Sequence, residues 1–172
     1  RADGDILFWS ISPNLDVLQE MLGKIFASGA GKYLSPVLSF LGLHMLHHTA
    51  TSKDMESGDV PKNTFGRYKY LLIHPLTKFH TWHELSEPER HRFQQERDAV
   101  MAKYPAVCEH FFNSHGLDDQ EFIVARESNK LYDLVSASQE LREQRIKMFT
   151  HKDTPYLLCV GRDFREIMDR IS

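Results

Sequence analysis

From residue 68 to residue 160 the chain alternates in the order strand, helix, strand, strand, helix, strand, and few arrangements other than a ferredoxin-like unit satisfy that order. Residues 68–74 form an apolar run that Pro75 is expected to stop. Ser86, Pro88 and Glu89 supply an N-cap, an early proline and a capping-box carboxylate, so a helix is predicted from there to about Tyr104. Residues 107–113 and 121–127 read as a hairpin joined through the polar tip 115–119. A helix over 129–143 then turns Leu131, Leu134, Val135 and Leu141 inward, and residues 155–160 make the last strand. Phe164, Ile167, Met168 and Ile171 mark an amphipathic C-terminal helix.

The front of the chain repeats part of this pattern. Residues 5–9 read as a strand, and Asn14 caps a helix with Leu15, Leu18, Met21, Leu22 and Ile25 on one face. Gly29 and Gly31 end that helix, 36–45 is apolar enough for a buried strand, and 47–66 is a polar connection. A shift of 116 positions lays 5–9 on 121–125, Leu15 on Leu131, Leu18 on Leu134 and Ile25 on Leu141. The expectation is an α+β protein of two ferredoxin-like halves whose sheets pack together. The first half is truncated at its N-terminus, lacking roughly 50 residues of its opening strand-helix-strand. The corresponding division is 1–46 for the remainder of the first half, 47–67 for the connection, 68–162 for the second half and 163–172 for the terminal helix.

Composition excludes several classes. The 172 residues carry a net charge of −3, which advertises neither nucleic acid nor an anionic membrane as a partner. No apolar run approaches the roughly 20 residues needed to cross a bilayer, and the first five residues are no signal peptide. Two cysteines, Cys108 and Cys159, without CxxC spacing fit a reducing, cytoplasmic setting. Residues 29–32 imitate a phosphate loop, but Phe26 and Tyr33 break the required pattern. His83-Glu84 begins a zinc helix motif that Glu87 fails to complete, and the spacing of His44, His47 and His48 supports no metal site. Asp118 to Glu121 is read as hairpin turn, since adjacent strand residues face opposite ways.

Several stretches, taken in order, resemble the chlorite dismutase family and its coproheme decarboxylase branch. Residues 1–9 are similar to that family's RADADLMxW strand, and 34–44 to the strand closing its first half. His74-Pro75-Leu76-Thr77-Lys78 followed by Trp82 resembles YPMSK…W, 85–90 resembles LPPEER, 116–122 resembles GLGDQEF, and 141–161 resembles LR…PFFxG. The resemblance implies a dimeric α/β-barrel type of fold, homopentamers, and a pocket for haem or iron coproporphyrin in the second half.

Carried over position by position, the resemblance places the family's iron-binding histidine fifteen residues after Trp82 and seven before Tyr104. Both counts reach Arg97. A guanidinium does not shed its proton in a protein and cannot ligate iron. The decarboxylases' catalytic tyrosine falls on His74, the distal residue on His110, and the propionate-neighbouring lysine on Lys78. Read from the residues alone, Arg97 is a salt-bridged helix arginine, His74 and His110 are satisfied histidines of a polar cavity, Trp82 is core, and His80, His83 and His91 lie on the surface. If Arg97 faces the pocket, it must meet a carboxylate or an anion, or reach solvent. Three functions remain open. The first is a haem- or porphyrin-binding oxidoreductase relative without chlorite-decomposing activity, with ligation moved to His110 or His74 or porphyrin bound without a strong protein ligand; His74 and His110 are its candidate catalytic residues, Arg97, Lys78 and Trp82 line the cofactor, and His110 is the candidate metal ligand. The second is a haem-free scaffold or small-ligand protein, and the third a non-haem metal protein using His74 and His110 together.

Overall fold

The computed structural model describes residues 4–45 and 65–171. They belong to two compact units, one ending at Ser39 and one beginning at Phe40. His47 and His48, with most of the polar connection, lie outside the described residues.

In the first unit, α1 (Leu15–Ala27) begins where the Asn14 side chain accepts a 2.8 Å hydrogen bond from the Asp16 amide. Leu18, Met21 and Ile25 are half-buried along its apolar stripe, whereas Leu15 and Leu22 are exposed. A 3₁₀ turn, Ala30–Tyr33, follows. Residues 5–9 are not a strand. Among the described residues no strand pairs with them, and an apolar run becomes a strand only where another edge completes its backbone hydrogen bonds. The equivalence of 5–9 with 121–127 therefore does not extend to strand pairing.

The second unit contains β1 (Leu43–Met45), β2 (Tyr70–Lys78), α2 (His80–Glu84), α3 (Glu87–Met101), β3 (Cys108–Asn113), β4 (Phe122–Ser128), α4 (Leu131–Glu143), β5 (Thr150–Lys152), β6 (Leu157–Val160) and α5 (Phe164–Ile171). The sheet order is β1-β3-β4-β2, with β5 and β6 sharing the free edge of β2, and every pairing is antiparallel. The core order β6-β2-β4-β3, with α3 and α4 as the two connections, is the ferredoxin-like arrangement of an α+β protein.

Two expectations change here. The strand 36–45 shrinks to Leu43–Met45, added to the edge of β3. It starts beside Gly42, where a Cβ would lie 2.8 Å from Ser114 Oγ and 2.9 Å from Phe112 Cβ, too close for any side chain. Pro75 does not stop β2. It pairs with Ile123 of β4, and it falls within 74–76, the stretch of β2 that neither β6 nor β5 covers on the other edge. A proline, which lacks a donor, is tolerated at such a gap.

The Ser86–Glu89 capping box forms as expected. The hairpin tip is held by Ser114, whose carbonyl accepts from the Leu117 and Asp118 amides, and Asp118 accepts from the amides of Leu41 and Asp119. Leu72, Val107, Leu134 and Ala137 form the core between sheet and helices, with Tyr70, Met101, Tyr104 and Tyr156 against it. The buried stripe of α4 is 134, 137 and 141, so Leu131 and Val135, expected inside, stay exposed at its end and edge. Leu134 is 0% exposed. Leu134→Ala should cost about 2–5 kcal/mol through lost transfer energy and the cavity left behind, read as a lower denaturant midpoint with an unchanged slope.

Candidate functional site

Strand alternation decides which residues meet. On β2, β3 and β4, the residues His74, Leu76 and Lys78, Phe111 and Asn113, and Phe122, Val124 and Arg126 share one face. Helix α3 brings Glu87, Arg90, His91, Gln94 and Arg97 over that face at helical spacing, and α4 with the 3₁₀ turn Arg145–Phe149 brings Leu141, Arg142, Ile146 and Lys147. Between them lies a cavity of about 990 Å³, with Trp82, Asp153 and Tyr156 also on its wall. Its lining holds six cationic side chains (Lys78, Arg90, Arg97, Arg126, Arg142 and Lys147) against two carboxylates, Glu87 and Asp153, in a chain whose net charge is negative.

At the back of the cavity, the Glu109 carboxylate joins two buried guanidinium groups. Arg97 Nη2 donates to Oε1, and Arg126 Nε donates to Oε2 at 2.5 Å. Glu109 stands directly opposite Arg126 in the β3–β4 register. Arg97 also reaches Asp98 Oδ1 at 3.4 Å and lies 5.1 Å from the centre of the Phe111 ring. Burial and the neighbouring Arg126 push the Arg97 pKa down to about 9, which leaves it charged at neutral pH. Burial pushes Arg126 down to about 10.

His74 is buried and stacked on Tyr156, with ring centres 4.3 Å apart and planes 10° from parallel. Its Nδ1 lies 3.1 Å from the Pro75 carbonyl oxygen and its Nε2 3.5 Å from Arg126 Nη1. A carbonyl requires a donor and a guanidinium requires an acceptor, so the proton sits on Nδ1. Burial, with Arg126 alongside, lowers the pKa to about 3. Tyr156 donates to Asp153 at 3.0 Å, and Asp153 also pairs with Lys147 and, at 3.7 Å, with Arg142. Burial alone would raise Asp153, but these partners hold it below the usual carboxylate range. Lys78 Nζ lies 4.6 Å from the centre of the Trp82 ring, and burial, Arg97 and Lys147 bring its pKa down to about 8.

His110 is not in this cavity. Being one residue from Glu109, it points to the opposite face of the sheet, where it lies 3.2 Å from Glu127 Oε1 and its ring centre is 4.4 Å from that of Phe65, the planes tilted by 45°. Burial would raise Glu127, but the hydrogen bonds from His110 and the Gly66 and Tyr68 amides hold its pKa down. His74 and His110 therefore stand on opposite faces of the sheet and cannot share a metal ion, which corrects the reading of a metal held by the two together. Among the described residues no group of three histidine, cysteine or acidic side chains could hold a metal. His91 is exposed, as expected, and also borders the cavity. His83 and His115 flank Glu121, at 2.9 and 3.8 Å. Glu109, Arg126, Asp153 and Tyr156 were missed in the sequence. The signal for the first two was there: an adjacent pair of charged or polar residues in each of two buried strands, Glu109-His110 and Arg126-Glu127, demands one partner on each face.

A helix-covered basic cavity on a ferredoxin-like sheet defines the class of protein. The family model described as chlorite dismutase matches residues 1–162, and the chain belongs to the chlorite dismutase family. It is 26% identical over 159 residues to the coproheme decarboxylase of Mycolicibacterium smegmatis, covering 91% of this chain and 66% of that relative, so it spans just under two thirds of the relative's length. An arginine-to-lysine variant of chlorite dismutase from Candidatus Nitrospira defluvii superposes with a TM-score of 0.77 at 21% identity, over 91% of this chain and 68% of that one. The same enzyme in complex with imidazole gives 0.69 at 19% identity over the same shares. Both share the fold. Among the described residues no helix is long and apolar enough to cross a membrane.

Neither position 97 nor His74 presents a free imidazole to a haem. Position 97 offers a guanidinium already bonded to Glu109, and both ring nitrogens of His74 are engaged.

Removing the Glu109 charge strands two buried arginines. Glu109→Gln should destabilise the fold by about 3–5 kcal/mol, measured by denaturant unfolding at neutral pH. His74 sets a second expectation. Unfolded, it titrates near 6.5; folded, near 3. Between those values the unfolded chain takes up a proton that the folded chain refuses, so stability is intact above about pH 6.5 and falls as the pH drops. From 6.5 to 5 this amounts to about 2 kcal/mol. Unfolding free energies of native and His74→Gln protein at pH 7 and pH 5 should show the smaller pH dependence in the variant.

Proposed function

We propose that the chain holds a porphyrin-sized polycarboxylate in this cavity, without a histidine–iron bond from position 97 and without decomposing chlorite. The observation that carries the reading is the excess of cations around a cavity of about 990 Å³, at the upper end of the range for small-molecule sites. The relative from Mycolicibacterium smegmatis is a coproheme decarboxylase. Coproheme carries several carboxylates, and Lys78, Arg90, Arg142 and Lys147 are the cavity side chains suited to receive them. Arg97, locked to Glu109, takes the place from which an imidazole would reach iron. His74 is a neutral wall group, and Arg126 already occupies its Nε2, so proton donation to a bound ligand at neutral pH is not its role. Assembly as a homopentamer is proposed with the family.

The test is a titration of haem, iron coproporphyrin and metal-free coproporphyrin into native and Arg97→His protein, followed in the Soret region. Native protein should bind coproporphyrin with or without iron and show no histidine-type spectrum. Arg97→His should acquire that spectrum when iron is present. An oxygen electrode should record no rapid evolution from chlorite with native protein. A histidine-type spectrum in native protein that survives Arg97→Ala would overturn the assignment of position 97.

A further inference from the structure

The cavity's cations are not equally neutralised. Arg97 and Arg126 share Glu109, and Arg142 and Lys147 share Asp153. Among the described residues Lys78 and Arg90 have no carboxylate partner. Arg90 donates to backbone carbonyls, 2.7 Å to Leu85 and 3.5 Å to His83. Glu121 lies near Lys78, but its oxygens are engaged by the Lys78 amide at 2.8 Å and by His83 at 2.9 Å. Pairing between β2 and β5 shifts register between Thr77 and Lys78, an irregularity of the kind that re-aims a strand side chain.

We propose that Lys78 is a nucleophilic amine that forms an imine with an aldehyde or 2-oxo acid whose carboxylate is held by the cavity's other cations. A lysine desolvated beside other cations is a recurring way of making this nucleophile. The groups facing Nζ are Arg97 of α3 and Lys147 of the 3₁₀ turn, which favour the neutral amine, and Glu121 ahead of β4, which opposes them. The Trp82 ring also favours the ammonium form, yet burial outweighs both and the amine titrates near 8. At pH 7.4 about a fifth of such amines are neutral, against roughly one in a thousand for an exposed lysine. The Nζ lone pair attacks the carbonyl carbon and a C–N bond forms. The carbonyl oxygen takes up one proton as the nitrogen loses one, giving a carbinolamine; its hydroxyl then takes up a second proton and leaves as water, and loss of the remaining N–H proton completes the C=N bond. No oxidant or reductant is required. The inference is independent of the tetrapyrrole reading, and failure of the porphyrin titration leaves it standing.

Native protein is incubated at pH 7.4 with glyoxylate and cyanoborohydride, which reduces an imine to a stable carboxymethyl amine, and the modified lysines are mapped by peptide mass spectrometry. Lys152, exposed on β5 and without an ion pair among the described residues, is the internal reference. Lys78 should be labelled at least tenfold faster than Lys152. The preference should shrink at least fivefold with acetaldehyde, which lacks the carboxylate. Lys78→Arg, folded by circular dichroism, should leave Lys152 labelling unchanged and yield no adduct at position 78. Equal labelling of Lys78 and Lys152 by glyoxylate would overturn the proposal, as would an undiminished preference with acetaldehyde.

Discussion

The Glu109 carboxylate, held between Arg97 and Arg126, is the interaction on which the rest of the site depends. Each of these charges is costly to bury alone, and together they satisfy one another only in one geometry. That geometry requires the β3–β4 register that sets Glu109 opposite Arg126, and it requires α3 to cross the sheet so that Arg97 reaches the same carboxylate. Arg126 then fixes the tautomer of His74, which fixes the ring that stacks on Tyr156. A slip of one residue in β3 would turn Glu109 away and bring His110 into the cavity, leaving two guanidinium groups without their shared carboxylate.

The sheet carries a second charged pair on its other face, His110 with Glu127, built from the residues next in sequence to Glu109 and Arg126. Two adjacent polar positions on each of two strands thus give one pair per face. Each pair is local to its face.

Membership of the chlorite dismutase family accounts for the fold. At the position where counting from the resemblance places an imidazole, this chain has a guanidinium bonded to a carboxylate. Among the described residues, Lys78 and Arg90 are the cavity cations without a carboxylate partner.

The strand-helix-strand-strand-helix-strand order, the Ser86 capping box, the Asn14 cap, the hairpin and the resemblance carried by residues 74–82 and 116–122 were legible in the amino-acid order, because caps, turns and alternating apolar residues act within a few positions of one another. Arg97 could also be singled out by counting. Its partner could not. Counting pointed to His110, one residue away from Glu109, and in a strand one residue is the difference between the two faces. Whether residues 5–9 pair, how far β2 runs past Pro75, and which stripe of α4 is buried likewise depended on edges and surfaces supplied by distant segments. The sequence by itself determined the elements and their order. The tertiary structure alone decided which charges meet, since pairing across strands and between helix and sheet is set by register and packing rather than by proximity along the chain.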